Sequence, residues 1–282
     1  MNRTGFIGYG HMGSAMLRSF LSSGAIDPKE VVITTRTPGK LSELCAKYPD
    51  IEVVQSSDEV ASRCKRIFLC VGTFDVAGII GEMQNHIDEM THLITISGGL
   101  EIKSIASVFD GKITRLLPTL ICEVNEGVTL VCHNHKVKDA DKAFISSVFE
   151  KIGKVKIINE GLFEISGFLT SCSPAFFAAI LHQLGLSVTH SDGYSYEEAC
   201  EMLLNTMLGT MKLLMQTNET FEQLVKRVAT KGGATEKGVQ VLKERLPAVF
   251  NETIEKALVP HEVRKEKTRK QFFDMKASQA FD

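Results

Sequence analysis

Through the first 158 positions, short apolar runs rich in β-branched side chains alternate with longer amphipathic stretches. Alternation of this kind predicts parallel strands joined by crossover helices. The strands are read at residues 4–7, 31–35, 52–54, 67–71, 93–96, 113–117, 128–131 and 155–158. Met16, Leu17, Phe20 and Leu21 recur at helical spacing after the first strand, and Leu41, Leu44 and Cys45 after the second, so both stripes should face a sheet. A parallel sheet needs cover on both faces, which predicts a doubly wound α/β, Rossmann-like domain over residues 1–160.

Beyond residue 161 the strand pattern stops and long helical stretches follow, predicting an all-helical second domain over 161–282. Ser173-Pro174 reads as a helix start, with Ser as cap and Pro where its missing N–H costs nothing. A second long helix is expected over 197–215. Its apolar residues, among them Met202, Leu203, Met207, Leu208, Met211, Leu214 and Met215, cover too broad a stripe for one face on a small domain. Burial against a second copy of the chain is therefore expected, as a dimer or a multiple of dimers. The stretch 263–276 is rich in Lys, Arg and Glu and reads as a solvated helix end.

Composition narrows the partners. With 32 Lys plus Arg against 34 Asp plus Glu, the net charge of −2 offers no basic field for a nucleic-acid backbone. No uninterrupted apolar run approaches the ~18 residues that cross a bilayer, and the N-terminal residues show no signal-peptide pattern. A protein of the cytoplasm, bound to neither nucleic acid nor membrane, is expected. Seven cysteines without a Cys-x-x-Cys pair suggest reduced thiols rather than a disulfide framework or zinc site. Cys172, at the expected helix start, is a thiol whose pKa could fall there. His133 and His135 alternate at a strand end without carboxylate or Cys support and read as a surface turn, so no metal site is assigned.

Gly8-Tyr9-Gly10-His11-Met12-Gly13 is a G-x-G-x-x-G that follows a predicted strand and opens a helix, the context that dinucleotide binding requires. Gly8 permits the tight turn, Gly10 lets backbone approach a pyrophosphate, and Gly13 lets the helix lie close on the strand. The helix N–H groups then face the diphosphate, with His11 and Met12 in the loop and Val71 and Gly72 at the end of the fourth strand completing the cofactor site. NAD sites usually carry Asp or Glu after the second strand; here Thr34-Thr35-Arg36-Thr37 stands instead. Arg36 can pair with a 2′-phosphate, with Thr35 and Thr37 adding hydroxyls, so NADPH is the expected cofactor and NADH a possible substitute.

These motifs, together with Thr230-Lys231-Gly232-Gly233-Ala234-Thr235, resemble the pyrroline-5-carboxylate reductases along the whole chain. Ser171-Cys172-Ser173-Pro174-Ala175-Phe176 and Lys231-Gly232-Gly233 also resemble a divergent branch of that family named for late competence. The resemblance implies a Rossmann domain, an interlocking helical domain, and NADPH-dependent reduction of a cyclic imino acid, 1-pyrroline-5-carboxylate to proline. It further implies that Thr235 is the catalytic hydroxyl at the imine nitrogen, that Thr230 is a substrate-side hydroxyl, and that the N–H groups of Gly232 and Gly233 hold the substrate carboxylate. The sequence departs from the family pattern at His11, Gly72-Thr73, Thr119-Leu120-Ile121, Ser171, Ser173 and Lys231.

Two other classes compete. A β-hydroxyacid dehydrogenase needs a helical Lys followed four residues later by Asn. Asn218 lies six past Lys212, about 240° round a helix, and cannot share its face. A nucleotide-sensing regulator with little turnover is suggested by the substituted 119–121 stretch and by Ser171 and Ser173.

Overall fold

The computed structural model describes residues 3–189 and 193–279. Its strands are β1 (Thr4–Ile7), β2 (Val31–Thr34), β3 (Glu52–Val53), β4 (Arg66–Leu69), β5 (His92–Thr95), β6 (Lys112–Leu117), β7 (Val128–His133) and β8 (Lys154–Ile157). They form one sheet in the order β3-β2-β1-β4-β5-β6-β7-β8. The helices are α1 (His11–Ser22), α2 (Ser42–Lys47), α3 (Ser57–Arg63), α4 (Val76–Met83), α5 (Ile102–Ala106), α6 (Asp139–Phe149), α7 (Phe163–Gly167), α8 (Ser173–Thr189), α9 (Tyr196–Thr217), α10 (Phe221–Val228) and α11 (Ala234–Gln279).

Alternate residues of the central strands feed two cores. Phe6, Ile33, Phe68 and Ile94 join Met16, Leu17 and Phe20 of α1 on one face; Ile7, Val32, Ile67, Leu69 and Leu93 join Val60, Ile80 and Met83 on the other. Phe6 and Phe68 stack with ring centroids 4.9 Å apart, and Phe149 meets Phe20 edge-on at 5.0 Å. The doubly wound α/β reading holds, with one local difference: β7 runs antiparallel to β6. The connection between them holds only a 3₁₀ turn, Leu120–Val124, too short for the crossover a parallel neighbour needs. Between β1's neighbours β2 and β4 the strand order reverses, and a crevice opens beyond the carboxyl ends of β1 and β4.

Two compact units divide the chain: Met1–Ser171 with Ala257–Asp282, and Cys172–Lys256. The last part of α11 thus belongs with the sheet, although a linear division would place it with the helices. The stretch 263–276 is correspondingly no solvated helix end. Thr268 and Phe272 are buried, Phe272 within the second core, and Thr268 Oγ1 donates to the Gly99 carbonyl at 3.1 Å. Arg269 forms a two-bonded pair with Glu101. The charges lie on the outer face, and the inner residues dock on the sheet unit.

α8 begins at Ser173 as expected, but not from a free helix end. A helical path continues from Glu160 to Thr189, with a π turn at Phe168–Cys172 directly before Pro174. A proline inside a helix removes one N–H and crowds the preceding turn; widening that turn accommodates it. By length and composition this path is long and apolar enough to cross a membrane, although Ser, Thr and Cys punctuate it so that no single uninterrupted apolar run is long. Cys172 accordingly sits within a helix rather than at its N-terminus, and burial raises its thiol pKa instead of lowering it.

In the second unit, α9 and α10 open with capping boxes, Ser195 with Glu198 and Thr220 with Gln223. Asn218 closes α9 in the left-handed conformation. Phe177, Ile180 and Leu184 of α8 and Met202, Leu208 and Met215 of α9 are exposed within one chain.

Candidate functional site

The crevice is a cavity of about 730 Å³ at the carboxyl edge of β1, β2 and β4. Its floor is the glycine turn. Gly8 has φ +97°, and a Cβ there would lie 2.5 Å from the Cys70 carbonyl oxygen. A Cβ on Gly13 would come within 2.8 Å of the Cys70 Cβ, so α1 can approach β4 only without one. A Cβ on Gly10 would meet no protein atom within 4 Å; what it would fill is the space in front of the helix. Gly10 occupies the N-cap of α1 with no side-chain cap, and the first turn carries no acidic residue. The turn therefore presents uncapped N–H groups and the positive end of the helix to an anion, and the three glycines fit a dinucleotide diphosphate.

Of the residues selected from sequence, Gly8, Gly10, Thr35, Arg36, Thr37, Val71 and Gly72 line this cavity together. His11, Met12 and Gly13 begin α1 and lie outside the lining. Tyr9, in the glycine turn, is buried, and that burial raises its phenol pKa. Beneath the turn, burial pushes the Cys70 thiol up to about 12, which makes it an inert core group.

Sequence reading missed Lys40, Gln55, Ser56, Ser57, Asp75 and Glu82, all part of the wall. Arg36 Nη2 lies 3.3 Å from Asp75 Oδ2, and Ser57 donates to Glu82. Their one available signal was position: each follows the carboxyl end of β2 or β3, or lies on the segment after β4, where a switch-point crevice gathers ligand contacts.

The stretch with Thr119, Leu120 and Ile121 enters the 3₁₀ turn that packs on α1 through Arg18–Glu123, 2.9 Å, and the Ser19–Cys122 contact. Thr119 is buried, whereas Leu120 and Ile121 are exposed. Ser171 Oγ donates to the Pro118 carbonyl at 3.0 Å, and Ser173 is buried. Nearby, buried Arg115 ties the start of the long helical path to β6 through Glu160 (3.2 Å) and Glu164 (2.6 Å).

In the helical unit, the other predicted residues form one tight turn. Gly232 has φ +77°, and the Gly233 N–H donates to the Thr230 carbonyl at 2.9 Å. Thr230, Lys231 and Thr235 are exposed, Thr235 in the first turn of α11. Gly232 N–H donates to Glu236 Oε2 at 2.6 Å, so a carboxylate already sits on one of the amides that the resemblance gives to substrate. Neither Glu236 nor this self-capping was evident from sequence, because it depends on the turn geometry.

His133 is no part of a surface turn. It ends β7 and shares a hydrogen-bonded chain with Thr114 (2.7 Å) and His92 (2.6 Å to Thr114). Burial pushes the His92 imidazole down to about 3 and His133 down to about 4, so both are neutral at physiological pH. Among the described residues no group of three or more His, Cys, Asp or Glu could hold a metal ion.

A glycine turn at the switch point of a doubly wound sheet, followed by helices with exposed apolar faces, defines the class of dinucleotide-dependent oxidoreductases with an added helical region. The comparisons specify it. Residues 160–262 match the pyrroline-5-carboxylate reductase dimerisation family, and residues 3–99 match the NADP oxidoreductase, coenzyme F420-dependent family. The chain is 31% identical over 272 residues to pyrroline-5-carboxylate reductase 3 of Bacillus subtilis, covering 96% of this chain and 100% of that one. It is 25% identical to ComE operon protein 4 of the same organism, over 96% and 99% of the two chains. A solved pyrroline carboxylate reductase from Plasmodium falciparum with NADP bound shares the fold, with a TM-score of 0.79 at 23% identity over 96% and 98% of the chains. The chain belongs to the pyrroline-5-carboxylate reductase family.

Proposed function

We propose that the protein is a cytoplasmic NADPH-dependent reductase of a cyclic imino acid, 1-pyrroline-5-carboxylate, forming proline. The observation that carries this reading is the glycine-floored cavity at the switch point, in a chain similar to such reductases from end to end. Reduced NADP, when bound, supplies a hydride to the C=N carbon. Residues 1–160 hold it: the N–H groups at the start of α1 take the diphosphate, Gly10 leaves its backbone bare for close approach, and Arg36 with Thr35 and Thr37 takes the 2′-phosphate.

The turn at residues 230–235 in the helical unit holds the imine. The reaction needs no strong base; it needs alignment, carboxylate recognition and a hydrogen-bond partner for the ring nitrogen. Thr235 supplies that partner, Thr230 a second hydroxyl, and the Gly232 and Gly233 turn the carboxylate site. Because Glu236 caps Gly232 N–H, substrate binding requires this side chain to yield. The exposed apolar faces of α8 and α9 fall within the stretch matched by the dimerisation family, which supports self-association through the helical region.

The direct test is NADPH oxidation with pyrroline-5-carboxylate, six-membered cyclic imines and β-keto acids. Turnover on the five-membered imine is expected. Turnover confined to β-keto acids, or binding without turnover on any of them, would replace this reading by a dehydrogenase or a nucleotide sensor respectively.

A further inference from the structure

We infer that Asp75 sets the balance between NADPH and NADH by competing for Arg36, an inference that rests on the dinucleotide reading of the cavity. Sites that take NAD carry a carboxylate at the end of the second strand to accept the ribose 2′-hydroxyl. Here that position holds Thr35, Arg36 and Thr37. The cavity nonetheless has a carboxylate at this end, delivered from the opposite wall: Asp75, on the segment after β4, brings Oδ2 to 3.3 Å from the Arg36 guanidinium. Asp75 stands at the N-cap of α4, where an aspartate usually bonds its own helix, yet it makes no cap bond. Its side chain faces Arg36 instead.

The charge balance of the wall gives this placement a consequence. The described lining holds two cations, Arg36 and Lys40, and two carboxylates, Asp75 and Glu82. A 2′-phosphate, close to two negative charges at neutral pH, must take the guanidinium from Asp75 and then remain beside that carboxylate. A 2′-hydroxyl meets no such repulsion and can donate to it. With the Arg36 side chain 87% exposed, several guanidinium N–H groups stay available, so the pair can loosen without unfolding anything. Asp75 thus lowers affinity for NADPH and raises affinity for NADH, and the enzyme accepts both.

The test is Asp75→Asn in the full chain, with dissociation constants for NADPH and NADH read from the fluorescence of the reduced nicotinamide. The ratio of the NADH to the NADPH constant should rise about fivefold, the scale of one exposed charge pair. In an Arg36→Gln background the same substitution should tighten NADPH less, because only the repulsion between phosphate and carboxylate is then left to remove. A ratio that stays level or falls, or an equal gain for NADPH without Arg36, overturns the inference. Asp75→Ser, another good N-cap residue, repeats the measurement should the Asn variant misfold. Wild-type protein that binds neither dinucleotide would remove the functional reading as well, whereas binding of both with an unmoved ratio removes this inference alone.

Discussion

Gly8, Gly10 and Gly13 lack side chains for different physical reasons, and substitution separates them. At Gly10 a methyl group meets no protein atom, so Gly10→Ala should melt like the wild type while losing on the order of tenfold in NADPH affinity, roughly 1.4 kcal/mol. At Gly13 the methyl would press on Cys70, so Gly13→Ala should cost about 1–3 kcal/mol of stability in denaturant titration. Thr235→Ala removes the hydroxyl assigned to the imine; kcat should fall about tenfold while the NADPH dissociation constant holds, as expected for an interaction made with substrate alone. Unchanged turnover would remove that role. The glycines were legible because a glycine turn after a strand is set by local spacing, and Thr235 because the loop that carries it resembles the family's. Asp75 and Glu236 were not legible, since each acts on a neighbour only after the chain has turned back: Asp75 across a cavity, Glu236 across a helix start.

At the level of elements, the end of α11 shows how composition misleads. Residues 263–276 are rich in Lys, Arg and Glu, yet every third or fourth position, Thr268 and Phe272 among them, packs inward on the sheet unit. Phe272→Ala should destabilise the protein by about 3–5 kcal/mol, seen as a lower midpoint in urea unfolding; a loss below 1 kcal/mol would mean that the segment is dispensable to the sheet unit. The π turn before Pro174 was hidden for another reason. Serine and proline are a sound helix start in isolation, and only the continuation of the helix from residue 160 makes the proline internal. The reversed β7 follows from its short connection to β6, whose length could be counted but whose 3₁₀ turn could not be told from a helix.

Over the whole molecule, two buried histidines couple stability to pH. In the unfolded chain His92 and His133 titrate near the ordinary 6.5; folded, they titrate near 3 and 4 because burial disfavours the imidazolium. The unfolded state therefore binds more protons below 6.5, and stability should fall as pH drops from about 6.5 towards 3. His92→Gln should flatten part of that slope in thermal melts taken across the range. The exposed face of α9 makes a separate prediction about assembly. Leu208→Glu puts a charge amid Met211 and Leu204 and should shift the protein to monomer in light scattering, while leaving dinucleotide binding by the sheet unit intact. An unchanged molar mass would take α9 out of the interface.

Period and spacing alone determined the doubly wound sheet, the glycine turn with its uncapped helix, the absence of a carboxylate after β2 and the change to helices near residue 161. All of these depend on neighbours within a few residues, through side-chain alternation, helical recurrence or backbone freedom. Only the tertiary structure decided that a carboxylate from the β4 side meets Arg36, that the charged C-terminal stretch docks on the sheet, and that two strand histidines are held neutral by burial. Those are properties of residues brought together across tens to more than a hundred positions, where distance in space, rather than order in the chain, sets the energy.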